Sequence, residues 1–160
     1  MTAPTTETTL DLEPRTVEAL QDLIGVNIDS AQGFDQAASS IDEPAIATLF
    51  RDIARERRAF ADRLSAYVRR QGELPRAEGS FRAAMHRWWM LFRGVVQGGD
   101  PYSILAEAER GEDRIKARYE EVLVSTAGSA VNDVLQGQHA AVKRRHDRVR
   151  ELRDEHRATS

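Results

Sequence analysis

Apolar residues recur at three- and four-residue steps along most of this chain, the spacing of amphipathic α-helices. Val17, Leu20, Ile24, Ala31, Phe34 and Ala38 form the first stripe, interrupted once at Asn27. It predicts a helix from about Thr16, with Thr16 as N-cap and Glu18 at the positive end of the dipole, to about Ser39. The second stripe is Ile46, Leu49, Phe50, Ile53, Phe60, Leu64 and Tyr67, interrupted at Glu56. Asp42-Glu43-Pro44 starts it with a cap, an acid and a first-turn proline, and Gly72 stops it after about Arg70. Asp100-Pro101 repeats that start for a third helix to about Val124. Leu105, Ala108, Ile115, Tyr119 and Val122 face inward there, with Glu112 inside the stripe and Glu109 beside it. After the break Thr126-Ala127-Gly128-Ser129, a fourth helix is expected from about Ala130 to about His156. Its stripe is Val131, Leu135, Val142, Val149 and Leu152, with Gln138 and His146 in the missing positions.

Residues 72–100 link the second and third helices, from Gly72-Glu73-Leu74-Pro75 to Gly98-Gly99. A structureless loop of that length is unusual in a compact domain. Phe81, Met85, Trp88, Phe92 and Val95 instead predict a short crossover helix lying over the others. Two tight hairpins joined by a link long enough to cross the molecule let helices 2 and 3 run parallel, unlike a simple up-down-up-down bundle. The expected architecture is all-α: a disordered tail over residues 1–14 and one four-helix-bundle domain over 15–157.

Composition narrows the function classes. The chain of 160 residues has no cysteine, which removes disulfides, zinc–thiolate sites, iron–sulfur clusters and thiol nucleophiles. A net charge of −3 argues against a protein that coats nucleic acid. The basic run Lys143 to Arg148 is followed by Glu151, Asp154 and Glu155, as on a solvated helix face. No apolar run approaches the roughly 20 residues of a membrane span. The start lacks the basic and apolar regions of a secretory signal, so a cytoplasmic protein is expected. There is no Gly-rich phosphate loop and no serine elbow, and no catalytic residue is assigned.

The informative feature is polar. Each predicted helix carries a polar residue near its middle: Asn27, Glu56, Glu112 and Gln138, with His146 further along. Counted from the two hairpin turns, their levels agree to three or four residues, roughly 5 Å, so the four side chains are expected to form one buried layer. Buried carboxylates need a proton, a partner or a cation. Two carboxylates and an amide suit a hard cation; mutual hydrogen bonds, or pairing with Arg57, would also satisfy them. His139 and His146, seven residues apart, read as core-edge histidines capped by a carboxylate such as Glu109 rather than as a metal pair.

This pattern resembles the ferritin-like superfamily, whose bundles take a carboxylate from one helix of each pair and a Glu-x-x-His pair from the other. The matching segments are Glu56-Arg57-Arg58-Ala59 and Gln138-His139-Ala140-Ala141, Glu112 matches the third-helix carboxylate, and Asn27 stands where the first helix would offer its Glu. Both expected histidines are alanines, and one Glu is Gln. The chain more specifically resembles a bacterial four-helix-bundle family of unknown function. It does so through Gly33-Phe34, Glu56-Arg57, His86 to Trp89, Glu109 to Asp113 and His146 to Val149. The resemblance covers residues 16–155 and implies the fold but no established activity.

Two functional readings follow. One is a non-enzymatic ferritin-like bundle of structural or stress-associated role, acting through its surface as a homo-oligomer, a dimer being favoured. The other is an iron- or manganese-binding protein with oxidase or iron-handling activity, its ligands Glu56, Glu109 and Glu112 supplemented by Gln138 or His146. Trp88 and Trp89 point about 100° apart on a helix, leaving one for an oligomer interface or a membrane surface.

Overall fold

A computed structural model describes residues 7–76, 87, 90–95 and 99–158. Four long helices form: α1 (Pro14–Ser39), α2 (Pro44–Arg70), α3 (Pro101–Ser125) and α4 (Asn132–Ala158). Residues 90–95 are helical as well, and among the described residues there is no strand. Proline stands at the start of α1, α2 and α3, where its missing N–H costs nothing. Asp100 caps α3 as expected, accepting the Ser103 N–H at 2.8 Å. After α2 the chain turns at Gly72, whose φ of 78° lies in the left-handed region that glycine tolerates. The Gly72 and Glu73 N–H groups close the end of the helix on the carbonyls of Arg69 and Val68.

The apolar core divides into two clusters. One joins Phe34 and Ala38 of α1, Ile46 and Phe50 of α2, Leu105 of α3 and Leu152 of α4. The other joins Leu20 and Ile24 of α1, Leu64 and Val68 of α2, Tyr119 and Val122 of α3, and Leu135 and Val142 of α4. The first cluster therefore takes the beginnings of α2 and α3 and the ends of α1 and α4. α2 and α3 consequently point the same way. α1 packs closely on α2 and α3 on α4, and α1 also meets α3.

The link that parallel α2 and α3 require is anchored on α1 at both described ends. Leaving α2, the Leu74 carbonyl accepts from Gln21 Nε2 at 2.9 Å, the Arg76 N–H donates to Gln21 Oε1 at 2.8 Å, and the Arg76 guanidinium meets Asp22 at 2.7 Å. By residue 92 the chain has reached the other end of α1. Phe92 is fully buried there, its ring centroid 6.4 Å from Phe34 and 5.8 Å from Phe50. α1 accordingly has 16 buried residues among its 26, reaching beyond the single predicted stripe to Gln21, Val26, Ser30 and Ala37.

From residue 7 onward the segment before α1 packs against the helices. Thr8 and Asp11 close a turn through reciprocal backbone bonds of 3.2 and 3.0 Å, and Leu12 is buried in the second cluster. Gln71 holds this segment by accepting the Leu12 N–H at 2.9 Å and donating to the Thr9 carbonyl at 3.1 Å. α1 begins at Pro14, so Thr16 is not its N-cap; Thr16 is buried and donates its hydroxyl to Glu7 at 2.8 Å. Glu7 also accepts the N–H groups of Glu13 at 2.9 Å and of Ala130 at 2.8 Å. One carboxylate thus ties the chain's start to both α1 and the approach to α4.

Partial burial pushes the Glu7 carboxyl up, but the three donors outweigh it and its pKa lies below the usual glutamate value. A carboxyl with a depressed native pKa stabilises the fold above its unfolded-state pKa and loses that contribution as pH falls through the native value. Glu7→Ala is expected to cost about 1–2 kcal/mol at neutral pH, the scale of a lost helix cap. The difference from wild type should shrink on acidification below the ordinary glutamate range, as urea unfolding at several pH values would show.

Candidate functional site

A polar zone separates the two apolar clusters, because each helix crosses from one to the other through a polar side chain. α1 passes Asn27 between Ile24 and Ala31, α2 passes Arg57 between Ala54 and Ala61, α3 passes Glu112 between Ala108 and Ile115, and α4 passes His146 between Val142 and Val149. The expected single layer is in fact two tiers. Asn27 and Gln138 belong to one tier and Glu112 to the other, with Glu56 at its margin.

In the tier nearer the α3–α4 turn, Tyr119 is the centre. Asn27 Nδ2 donates to the Tyr119 hydroxyl at 2.8 Å and to the Leu23 carbonyl at 2.8 Å. The Tyr119 hydroxyl in turn donates to Gln138 Oε1 at 2.8 Å, and Gln138 Nε2 lies 3.5 Å from the Phe60 carbonyl. This relay links α1, α3, α4 and α2. Burial pushes the Tyr119 hydroxyl well above the usual tyrosine pKa, so it stays protonated as the donor the relay needs.

Seven residues earlier on α3, roughly 10 Å by helical rise, Glu112 meets Arg57. Both side chains are fully buried, and Arg57 Nη2 lies 2.5 Å from Glu112 Oε2. The contact is a single bond rather than a bidentate fork. Arg57 Nε and Nη1 and Glu112 Oε1 have no hydrogen-bonding partner among the described residues. Burial raises the Glu112 pKa, Arg57 offsets part of that, and the nearby Glu56 charge adds to the rise.

Glu56, read from sequence as the buried α2 residue, is half-buried at the edge and lies 3.3 Å from Arg145 of α4. Arg57 takes the inward position. The spacing admits both: Glu56 is three residues after Ile53, and Arg57 is four after Ile53 and four before Ala61. Ala61 carries too little apolar signal to tip a hydropathy pattern, while Phe60, which does, lies only at the margin of the second cluster.

The remaining candidates sit on the α3–α4 seam. His146 Nε2 is 2.7 Å from Asp113 and 3.6 Å from Glu109, and its Nδ1 is 3.2 Å from Asp147. Glu109 is also engaged by Arg153. His146 is thus the carboxylate-capped core-edge histidine of the sequence reading, with Asp113 a closer partner than Glu109. His139 lies 3.3 Å from Glu120. Trp88 and Trp89 lie outside the described residues.

A metal would need three or more donors converging on one point. Of Glu56, Glu109, Glu112, Gln138 and His146, the structure brings Glu109 and His146 to 3.6 Å of each other, while Glu112 meets Arg57 and Gln138 meets Tyr119. Each of the three glutamates faces an arginine, Gln138 belongs to the Tyr119 relay, and His146 is turned to the α3 seam. Among the described residues no group of three His, Cys, Asp or Glu side chains could hold a metal ion. The cation that faces the buried Glu112 carboxylate is the Arg57 guanidinium. No helix among the described residues is long and apolar enough to cross a membrane.

Comparison with curated proteins gives no match. A protein-family model, a domain of unknown function termed DUF2383, matches residues 15–125. The match spans α1 to α3, so Asn27, Arg57, Glu112 and Tyr119 lie inside it, and Gln138, Arg145 and His146 on α4 lie beyond it. The helical hairpin, the anchored link and the third helix with its paired carboxylate are thus all part of a recognised family domain, and the chain belongs to the DUF2383 family.

Proposed function

We propose that this protein is a non-enzymatic helical bundle of ferritin-like architecture that acts through its surface, its central tier closed by an internal arginine instead of a metal ion. The observation that carries the reading is the Arg57–Glu112 pair, both side chains fully buried, at 2.5 Å. A guanidinium already supplies the positive charge that a buried carboxylate demands, and a second cation next to it would be repelled. Parallel α2 and α3, with a link anchored along α1, support the ferritin-like architecture.

The test is elemental analysis of protein purified without a chelating tag, followed by aerobic Fe(II) addition. The expected result is no stoichiometric iron or manganese and no oxidation above the buffer rate. Stoichiometric metal with turnover would overturn the reading and make the protein an iron-handling enzyme. Arg57→Ala tested the same way is expected to gain no turnover, because no three ligands converge behind it.

A further inference from the structure

The seam between α2 and α4 holds a groove of about 480 Å³. Its charged lining is Glu56 and Arg63 from α2 and Asp133 and Arg144 from α4. Phe60, Val134 and Ala141 supply apolar surface, and Gly137, itself exposed, also lines the groove. α2 and α4 meet less closely than the helices within either hairpin, which leaves this seam open.

The charges form a pattern. α2 and α4 run in opposite directions, and the 3.5 Å approach of Gln138 Nε2 to the Phe60 carbonyl sets their register. Glu56 then lies within about two residues of the level of Arg144, and Arg63 within about two residues of the level of Asp133, roughly 3 Å by helical rise. Signs alternate around the four corners, along each helix and across the groove. A two-fold axis lying in the plane of the groove, either along the helices or across them, sets each arginine against an acid of a second copy. This arrangement is self-complementary, the condition for an isologous interface.

Gly137 is an independent pointer. It lies within α4, where glycine disfavours the helix relative to alanine, and a Cβ built on it meets nothing within 4 Å. Among the described residues nothing requires a glycine there. Its absent side chain leaves open space above the helix where another backbone can approach.

From these observations we infer that the α2–α4 groove is the docking surface for a second copy of this chain. Phe60 and Val134 of the two copies pack over Gly137, and Arg63 and Arg144 pair with acids across the two-fold. The inference gives the surface-acting reading of the protein a surface and a partner. The assay below reads mass alone, so iron turnover would overturn that reading and leave this one standing.

The experiment is sedimentation of the full chain from about 1 to 100 μM, the range in which complexes of micromolar affinity assemble. Wild type is expected to pass from monomer to dimer. The Cβ of Gly137→Leu meets nothing within 4 Å and leucine favours the helix, so this variant should fold with an unchanged or higher Tm. It should remain monomeric across the range, because its side chain fills the groove. An acidic-rim chain carrying Arg63→Glu and Arg144→Glu should self-associate at least about tenfold more weakly, since like charges would face each other. Mixing it with an Asp133→Lys chain should restore dimers. A wild type that stays monomeric, a Gly137→Leu chain that dimerises like wild type, or rim chains that fail to complement each other would each overturn the inference.

Discussion

Replacing Arg57 with methionine is expected to cost about 3–5 kcal/mol in urea unfolding, the scale for breaking one side of a buried ion pair. The change leaves the fully buried Glu112 carboxylate without its ion-pair partner. Its effect should depend on pH. Burial already lifts the Glu112 pKa above the usual value, and losing Arg57 removes most of what opposes that push, leaving only the smaller effect of His146. A carboxyl with a raised native pKa holds its proton longer in the folded state than in the unfolded one. Its protonated form therefore supports folding at low pH, and stability falls as pH rises from the unfolded value of about 4.3 through the native one. The Arg57→Met deficit should thus be small near pH 4 and largest at neutrality.

Removing both partners should behave differently. Arg57→Met with Glu112→Leu is expected to be neutral, or more stable than wild type by as much as about 4 kcal/mol, because desolvating two charges for a single hydrogen bond is a poor exchange. The open valences of Arg57 Nε and Nη1 and of Glu112 Oε1 strengthen that expectation. A double variant as unstable as Arg57→Met alone would mean that the tier contributes net stability as a coupled network. The slope of urea dependence should match wild type in both variants, or the midpoints do not compare.

Phe92→Ala is expected to lose about 3–5 kcal/mol, as large-to-small changes at well-packed aromatic sites do. Phe92 is fully buried against both Phe34 and Phe50, whose own rings lie 5.1 Å apart at 73°. It is the far anchor of the α2–α3 link, so its loss frees the link as well as opening a cavity. Leu91→Ala, one residue away but 66% exposed, should stay within about 0.5 kcal/mol. Equal effects at the two positions would mean that the segment is not held through Phe92. Thermal unfolding of both variants beside wild type makes the comparison.

Much of the fold was legible in the sequence because its signals are local. Pro44 and Pro101 mark helix starts that the structure reproduces, Asp100 caps α3, and Gly72 turns the chain after Arg70. The inward faces of α3 and α4 follow their stripes, including Glu112, Gln138 and His146. Signals that depend on distant partners were not legible. Glu7 draws its role from Ala130, more than a hundred residues away, and nothing around Glu7 reveals that. Gln21 and Asp22 look like ordinary surface residues until Leu74 and Arg76 fold back on them. At Arg57 the pattern was ambiguous by one residue, and charge gave no guidance, because sequence cannot say which of two adjacent ionic side chains finds its counterion inside.

The division of the core has a consequence for how the molecule opens. Each apolar cluster takes pieces of all four helices, so neither helical hairpin contains a complete one. Slow amide exchange should then partition the protein crosswise. Leu20, Leu64, Tyr119 and Leu135 would share one protection free energy and Phe34, Phe50, Leu105 and Leu152 another, with the boundary at Asn27, Arg57, Glu112 and His146. Neighbours along one helix would exchange at different rates, and residues far apart in the chain would exchange together.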